Sequence, residues 1–432
     1  MTKQNPSRLR EIIEECIRRE TSAAAPPPFD DDVVECGAVD SMAWVSVLRD
    51  VERATGFTNL DDALADQPRS GSALLAAMLK RAAKDGGPLD SEVEQHSFHA
   101  TQRASIRAII AGWGAAAGAH RIPIGEIEKK FALPAGKLER GAGIESVAHC
   151  GEAEDETSLG AAACEAALRT AGAGLADVEL LVATSETCAG FPQLGAQVHS
   201  RLLADGATGV LDVGGACMGL VNAFIVAKGL IESGAVRCAL VVTADVHSRV
   251  LTPQQVKGEF GGLFGDGASA FVLRAESNEK VRGRYWLGEW LNGGIGAYAR
   301  AIHVGLGAEG KLKWSFEGEA LARAAVERLE QIIADLELRT GEKREAATAF
   351  ATHQPNPRLV TLLAKQLGSA VDKFPAVARK FGNLGSSTCG TALALALENQ
   401  RASQSGQPAG PIFLASLAPG LLWSGMTLHF AP

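Results

Sequence analysis

From about Arg103 to the C-terminus, short apolar runs alternate with Ala-rich stretches whose apolar residues recur at helical spacing. "ASIRAIIAGWG", "VELLVATSE", "CALVVTADV", "ASAFVLRAE", "ATAFATHQ", "PIFLASLA" and "GMTLHF" read as strands. "TSLGAAACEAALRTAG", "CMGLVNAFIVAKGLIESG", "GEALARAAVERLEQIIADL" and "PRLVTLLAKQLG" read as helices. That alternation predicts an α/β domain. Residues 103–276 and 277–432 each repeat it, a pattern compatible with two similar halves.

The N-terminal 84 residues follow another pattern. "SRLREIIEECIRRE" has helical spacing, "AAAPPPFDDD" breaks it, and "DSMAWVSVLRDVERATGF" begins a second amphipathic helix with Asp40 or Ser41 as its N-cap. A third helix follows at "GSALLAAMLKRAAK". Between Pro26 and Asp66 stand ten Asp or Glu against two Arg, so this helical unit presents an acidic surface. Residues 85–102, "DGGPLDSEVEQHSFHATQ", are polar and aperiodic and read as a linker.

With 432 residues, 46% hydrophobic and 21% charged, the chain has the composition of a soluble protein with well-buried cores. A net charge of -8 offers no field for nucleic acid or an anionic membrane, and no apolar run reaches the roughly 20 residues of a membrane helix. The first residues lack the apolar centre of a secretory signal, so the expected location is the cytoplasm. Eight cysteines without CxxC spacing argue against a disulfide framework and against a metal site, and His149 beside Cys150 has no further ligands at metal spacing. "GLGAEG" at 305–310 spells a dinucleotide fingerprint, yet no helix start follows it, so no nucleotide cofactor is expected.

Candidate chemistry begins at Cys217, in "GVLDVGGACMGLVNAFIVAKGLI". Small residues before it permit a sharp turn, and an apolar helix after it aims free N–H groups and a positive dipole end at the sulfur, which favours a thiolate nucleophile. The plainer alternative is a small buried residue closing a strand-to-helix turn. His353 ends the strand "ATAFATH", where active sites of α/β folds collect, although most histidines serve structural or surface roles. Asn383, in "KFGNLGSSTCGTALALAL", carries an amide that donates without titrating, which suits it to polarising a carbonyl; Asn before a turn glycine is otherwise a turn former.

Taken together, "GGACMGLVNAF", "THQPNPRLV" and "GNLGSSTCGTALAL", with "LFGDGASA" and "APGLLWSGMTLHF", resemble the β-ketoacyl synthase III branch of the thiolase superfamily over residues 103–432. The resemblance implies an α/β thiolase-like five-layer αβαβα fold of two similar halves, 103–276 holding the nucleophile Cys217 and 277–432 holding His353 and Asn383. It also implies a homodimer. The implied reaction loads an acyl group on Cys217 and condenses it with a malonyl-type thioester, His353 and Asn383 stabilising the enolate formed as carbon dioxide leaves. The products of such chemistry belong to fatty acid or polyketide biosynthesis. The alternative is acyl transfer to an alcohol, amine or carrier without decarboxylation.

Two departures from the family pattern stand out. Ala418-Pro419-Gly420 replaces a glycine triplet, and proline has no N–H, which leaves Gly420 to supply a second oxyanion donor. Lys137 stands where relatives carry a tryptophan against the coenzyme A adenine; with Arg379 and Lys380 it forms a cationic set suited to an acidic carrier protein, so the donor is either acyl-CoA or an acyl carrier. Phe191 matches a position that in relatives floors the partner subunit's acyl pocket, which favours short chains, the alternative being a core aromatic. Finally, "GAVDSMAWVSVL" resembles the Asp-Ser-Leu motif of acyl carrier proteins over residues 1–84, with Ser41 as the expected attachment point of 4'-phosphopantetheine and the linker raising the effective concentration of a tethered substrate. A plain helix cap is the alternative there.

Overall fold

The computed structural model describes residues 6–21, 28–35, 41–57, 60, 64, 68–84, 106–188, 190–202, 208–256, 258–294, 302–306, 312–316, 318–402 and 409–432. The linker expected over 85–102, the cap candidate Asp40 and most of the 305–310 glycine motif lie outside the described residues. The chain divides into two compact units, Met1–Gln102 with Glu317–Arg323, and Arg103–Phe316 with Ala324–Pro432.

In the first unit, α1 (Pro6–Glu20), α2 (Ser41–Thr55) and α3 (Gly71–Lys84) each place apolar residues three or four apart. Leu9, Ile13, Cys16 and Ile17 thereby meet Trp44, Val47, Leu48 and Val51 and, from α3, Leu74 and Met78 in one buried core. Each Leu, Ile, Val or Met among them contributes about 1.5–3 kcal/mol on leaving water. Asp32 ties the first loop to the entrance of α3: its carboxylate accepts from the Val34 and Glu35 amides at 3.0 Å and from the Arg69 amide at 2.8 Å.

The first half of the second unit runs β1 (Ile106–Ala117), β2 (His120–Pro123), α4 (Ile124–Lys130), α5 (Lys137–Ala142), β3 (Ser146–His149), α6 (Glu156–Ala171), β4 (Leu180–Thr184), α7 (Leu194–Arg201), β5 (Gly209–Asp212), α8 (Gly219–Glu232), β6 (Cys238–Val246), α9 (His247–Val250) and β7 (Asp266–Ser277). The second runs β8 (Tyr285–Gly294), β9 (Ile302–Leu306), β10 (Leu312–Phe316), α10 (Gly318–Thr340), β11 (Ala349–Thr352), α11 (Pro357–Leu367), α12 (Ala378–Phe381), α13 (Ser387–Ala402), β12 (Ile412–Ala418) and β13 (Leu422–Phe430). Nine strands form one sheet in the order β11-β12-β13-β8-β1-β7-β6-β4-β5. Its halves join through a single residue pair, Ile109 with Trp286, so five strands of the first half meet four of the second.

Strand β6 shows why "CALVVTADV" is apolar without alternation. Ala239 and Val241 face a core shared with α8 and α13, while Leu240, Val242 and Ala244 face a second core built on α6 and α7. From the other half, Leu414, Met426 and Leu428 enter the same central core around α8 and α13. Behind them, Ile332 and Leu336 of α10 lie against Gly425 of β13, where a Cβ would come within 2.2 Å of Ile332. The layers are therefore α6 and α7, a half-sheet, α8 and α13, a half-sheet, and α10, the expected αβαβα order. Among the described residues no helix is long and apolar enough to cross a membrane.

Two local differences from the sequence reading matter. The helix read as starting at Cys217 begins at Gly219, and Ala216–Met218 form a separate tight turn. Strand β8, "YWLGEWLNGG", carries no clear strand signal in the sequence, because its glycines and interleaved Glu and Asn blur the pattern.

Candidate active site

Cys217 is presented by backbone that ordinary residues avoid. Gly215 has φ 142°, and a Cβ there would lie 2.4 Å from Asn222 Nδ2; Ala216 follows in the left-handed region at φ 47°, strained for a residue with a side chain. Next, a Cβ on Gly219 would lie 2.2 Å from Thr184 Oγ1, so glycine lets α8 approach the end of β4. The turn is held from the second half, where Ser416 Oγ of β12 donates to the Cys217 carbonyl at 2.7 Å.

The Cys217 thiol donates to the Glu186 carboxylate, with Sγ 3.4 Å from Oε2 and 3.6 Å from Oε1. Burial, and after it the Glu186 charge, push this thiol well above the ordinary range. The sequence reading of a thiolate favoured by a helix end is thus reversed in the resting site: the dipole contributes about 0.3–1 kcal/mol, less than the cost of ionising a buried sulfur beside a carboxylate.

Glu186 in turn accepts from His247 Nε2 at 2.8 Å, while His247 Nδ1 lies 3.1 Å from the Gly265 carbonyl. A carbonyl only accepts, so Nδ1 carries a proton, and an ionised Glu186 requires a second on Nε2. The ring is imidazolium. Burial works against that charge, but the hydrogen bond and charge of Glu186, with Asp245 and Asp266, outweigh it and raise the His247 pKa to about 9. Burial likewise raises Glu186, and the His247 contacts, with help from Cys217 and His353, bring it below its ordinary value.

Asp245 organises the neighbouring loops. It accepts from the Glu186 amide at 2.7 Å, the Ser386 amide at 2.9 Å and Ser386 Oγ at 2.5 Å. Burial and then the Glu186 charge raise its pKa to about 6.

His353 and Asn383 come from the other half and are also buried. The His353 amide donates to the Ala415 carbonyl at 2.8 Å, anchoring it beside β12. Burial lowers its pKa to about 4; Glu186 opposes this and His247 reinforces it, so His353 is a neutral imidazole near pH 7. Its Nδ1 is buried without a hydrogen-bond partner among the described residues. Asn383 Oδ1 accepts from the Gly385 amide and Thr388 Oγ1, both at 3.0 Å, which orients the amide with Nδ2 left to donate. Gly265 and Gly385 link this loop to the charged pair: the Gly265 amide donates to the Asn383 carbonyl at 2.9 Å, and a Cβ on Gly385 would lie 2.0 Å from Glu186 Oε1.

Cys217, His353 and Asn383 are therefore gathered around Glu186 and His247, two residues the sequence reading passed over. Their signal was position: β4, β5, β6 and β11 all end within a few residues of this cluster, where ligands of α/β sheets bind. The other candidates lie differently. Phe191 is 93% exposed, which removes the core-aromatic alternative. Pro419 and Gly420 form the turn between β12 and β13, with Gly420 at φ 86° and buried Leu421 at φ 46°. Lys137 pairs with Glu259 at 3.2 Å and Arg379 with Glu145 at 3.3 Å, so neither cation is unpaired. Ser41 is the first residue of α2, and its side chain lies outside the described residues.

Comparison with known proteins adds the family. The family model for 3-oxoacyl-[acyl-carrier-protein] synthase III matches residues 211–285, and the model for its C-terminal part matches residues 339–430. The chain is 30% identical over 282 residues to β-ketoacyl-[acyl-carrier-protein] synthase III of Serratia proteamaculans, covering 64% of this chain and 86% of that protein. It is 30% identical over 346 residues to the 3-oxopimeloyl-[acyl-carrier-protein] synthase of Rhodothermus marinus, covering 77% and 96%. The crystal structure of synthase III from Aquifex aeolicus superposes with TM-score 0.67 at 23% identity, covering 75% of this chain and all of that one, a likeness of fold. The chain accordingly belongs to the β-ketoacyl-[acyl-carrier-protein] synthase III family of condensing enzymes within the thiolase superfamily.

Proposed function

We propose that Cys217 accepts an acyl group from a thioester and that a malonyl-type thioester then condenses with it after losing carbon dioxide. The observation that carries this reading is the pair of neutral donors, His353 held uncharged by burial and Asn383 with its carbonyl occupied and Nδ2 free to donate. Two neutral N–H donors stabilise an enolate oxygen without first yielding a proton to it. The nearby Glu186 charge is balanced by His247, so the site does not repel the anion that decarboxylation leaves. The enolate carbon then attacks the acyl-Cys217 carbonyl, the carbon–sulfur bond to Cys217 breaks as the β-ketoacyl thioester leaves, and the freed sulfur takes a proton from solvent; the product belongs to fatty acid or polyketide biosynthesis.

On this reading the N-terminal helices act as a carrier domain: Ser41, opening α2, bears 4'-phosphopantetheine, and its thiol presents the acyl or malonyl group. The catalytic unit works as a homodimer. Support comes from β5, whose four residues are all exposed at the edge of the sheet, and from exposed Phe191, which then floors the partner's acyl pocket and limits chain length. A second reading, acyl transfer without decarboxylation, is favoured by one feature, the missing N–H at Pro419.

The test offers acyl and malonyl thioesters, on coenzyme A and on the phosphopantetheinylated chain, with intact-mass detection and carbon dioxide measurement. Acylation of Cys217 followed by carbon dioxide release supports condensation. Acylation and product without release supports the second reading, and no acylation overturns both.

A further inference from the structure

A thiol this deeply buried does not ionise unaided, yet the proposed reaction begins with its attack on a thioester. The acceptor of the Cys217 hydrogen is Glu186, with Oε2 3.4 Å from Sγ. The carboxylate and its backbone are held by neighbouring groups. His247 Nε2 lies 2.8 Å from Oε1, the Glu186 amide is fixed to Asp245 at 2.7 Å, and a Cβ on Gly385 would lie 2.0 Å from Oε1. The titratable groups around it are Cys217, His247, His353 and Asp245, with Asp266 acting on His247 and Cys389 on Cys217. His353, the other candidate base, has no hydrogen bond to Sγ among the described residues.

We propose that Glu186 is the general base that takes the Cys217 proton during acyl loading, and that His247 is the positioning residue that aims it. This rests on the reading that Cys217 is the acyl acceptor. In the step, the Cys217 S–H bond breaks as an O–H bond forms on Glu186 Oε2. The Sγ–carbonyl carbon bond forms and the donor's carbon–sulfur bond breaks. The proton then passes from Glu186 to the departing sulfur, so the donor leaves as a thiol and Glu186 returns to its starting charge. His247 keeps Glu186 ionised, which accords with the carboxylate lying below its ordinary pKa.

The wild-type loading rate, followed by intact mass in single turnovers, is expected to be flat from about pH 6 to about pH 9, with its acid limb below the ordinary carboxylate range. A rate that climbs about tenfold per pH unit across that interval would mean that solvent ionises the thiol, and would overturn the proposal without any variant. Glu186→Gln keeps the shape of the side chain and is expected to slow loading by about 10²–10⁴-fold while changing the profile to one that rises with pH. Glu186→Asp, which restores the carboxylate, is expected to bring back the flat profile. Equal loading by Glu186→Gln with an unchanged profile refutes the base while leaving Cys217 as acceptor; failure of the wild type to load refutes the function itself. Circular dichroism of the variants separates loss of chemistry from loss of fold.

Discussion

Two buried histidines, one from each half of the sheet, sit just past strand ends and are driven in opposite directions. His247, after β6, has carboxylates on it and is held as a cation, its pKa raised to about 9. His353, after β11, has no hydrogen bond to a carboxylate among the described residues; burial, reinforced by the imidazolium of His247 against the Glu186 charge, keeps it neutral with a pKa lowered to about 4. The first half of the catalytic unit thus supplies charge and a thiol, and the second half supplies uncharged donors. Burial pushes both rings toward the neutral form, and only at His247 does a hydrogen-bonded carboxylate outweigh it. In a condensing site the division is useful, because thiol activation needs a base while enolate stabilisation needs donors that keep their protons.

The most severe break is Cys217→Ala, which is expected to abolish acyl-enzyme formation altogether, as judged by intact mass, with the fold retained. Next, Asn383→Asp places a carboxylate among the neutral donors. It should lower condensation and carbon dioxide release by about 10²–10³-fold while Cys217 still becomes acylated, a split that only separate loading and release assays reveal.

The histidines also predict opposite slopes of stability with pH. His247 has a raised pKa in the folded state, so its contribution is fully present below the ordinary value of 6.5 and fades as pH rises toward about 9. His353 has a depressed one, so its contribution is present above 6.5 and fades as pH falls toward about 4. Thermal melts of His247→Gln should lose the alkaline decline and those of His353→Asn the acid one, each a shift of a few degrees relative to wild type. The smallest effect on the catalytic unit comes from Ser41→Ala: mass gain on incubation with a phosphopantetheinyl transferase should disappear, while loading from acyl-CoA and the melting temperature stay within error.

The layered fold was legible because its strands are buried on both faces. "CALVVTADV" and "PIFLASLA" are continuous apolar runs that only a covered sheet accommodates, and the stripes of Leu9, Ile13 and Ile17 or of Leu359, Leu362 and Leu363 announce helices. Cys217 was legible as a small-residue turn between strand and helix, and His353 as a strand-terminal imidazole. Glu186 was not, since a lone acid in "TSETC" reads as a solvated loop; nothing local says that it faces a sulfur 31 positions away.

The protonation of the site is hidden from the sequence for the same reason. Helix geometry near Cys217 is a local property and argued for a thiolate, whereas the burial and the neighbouring carboxylate that hold the proton on sulfur come from distant segments. What the sequence by itself determined is the set of elements and the chemistry available at each position, because hydrophobic periodicity and residue type are written position by position. Which of those side chains carries a charge was decided only by the tertiary structure, because electrostatic energy depends on distance and solvent exclusion, and both arise when β4, β5, β6 and β11 bring their ends together.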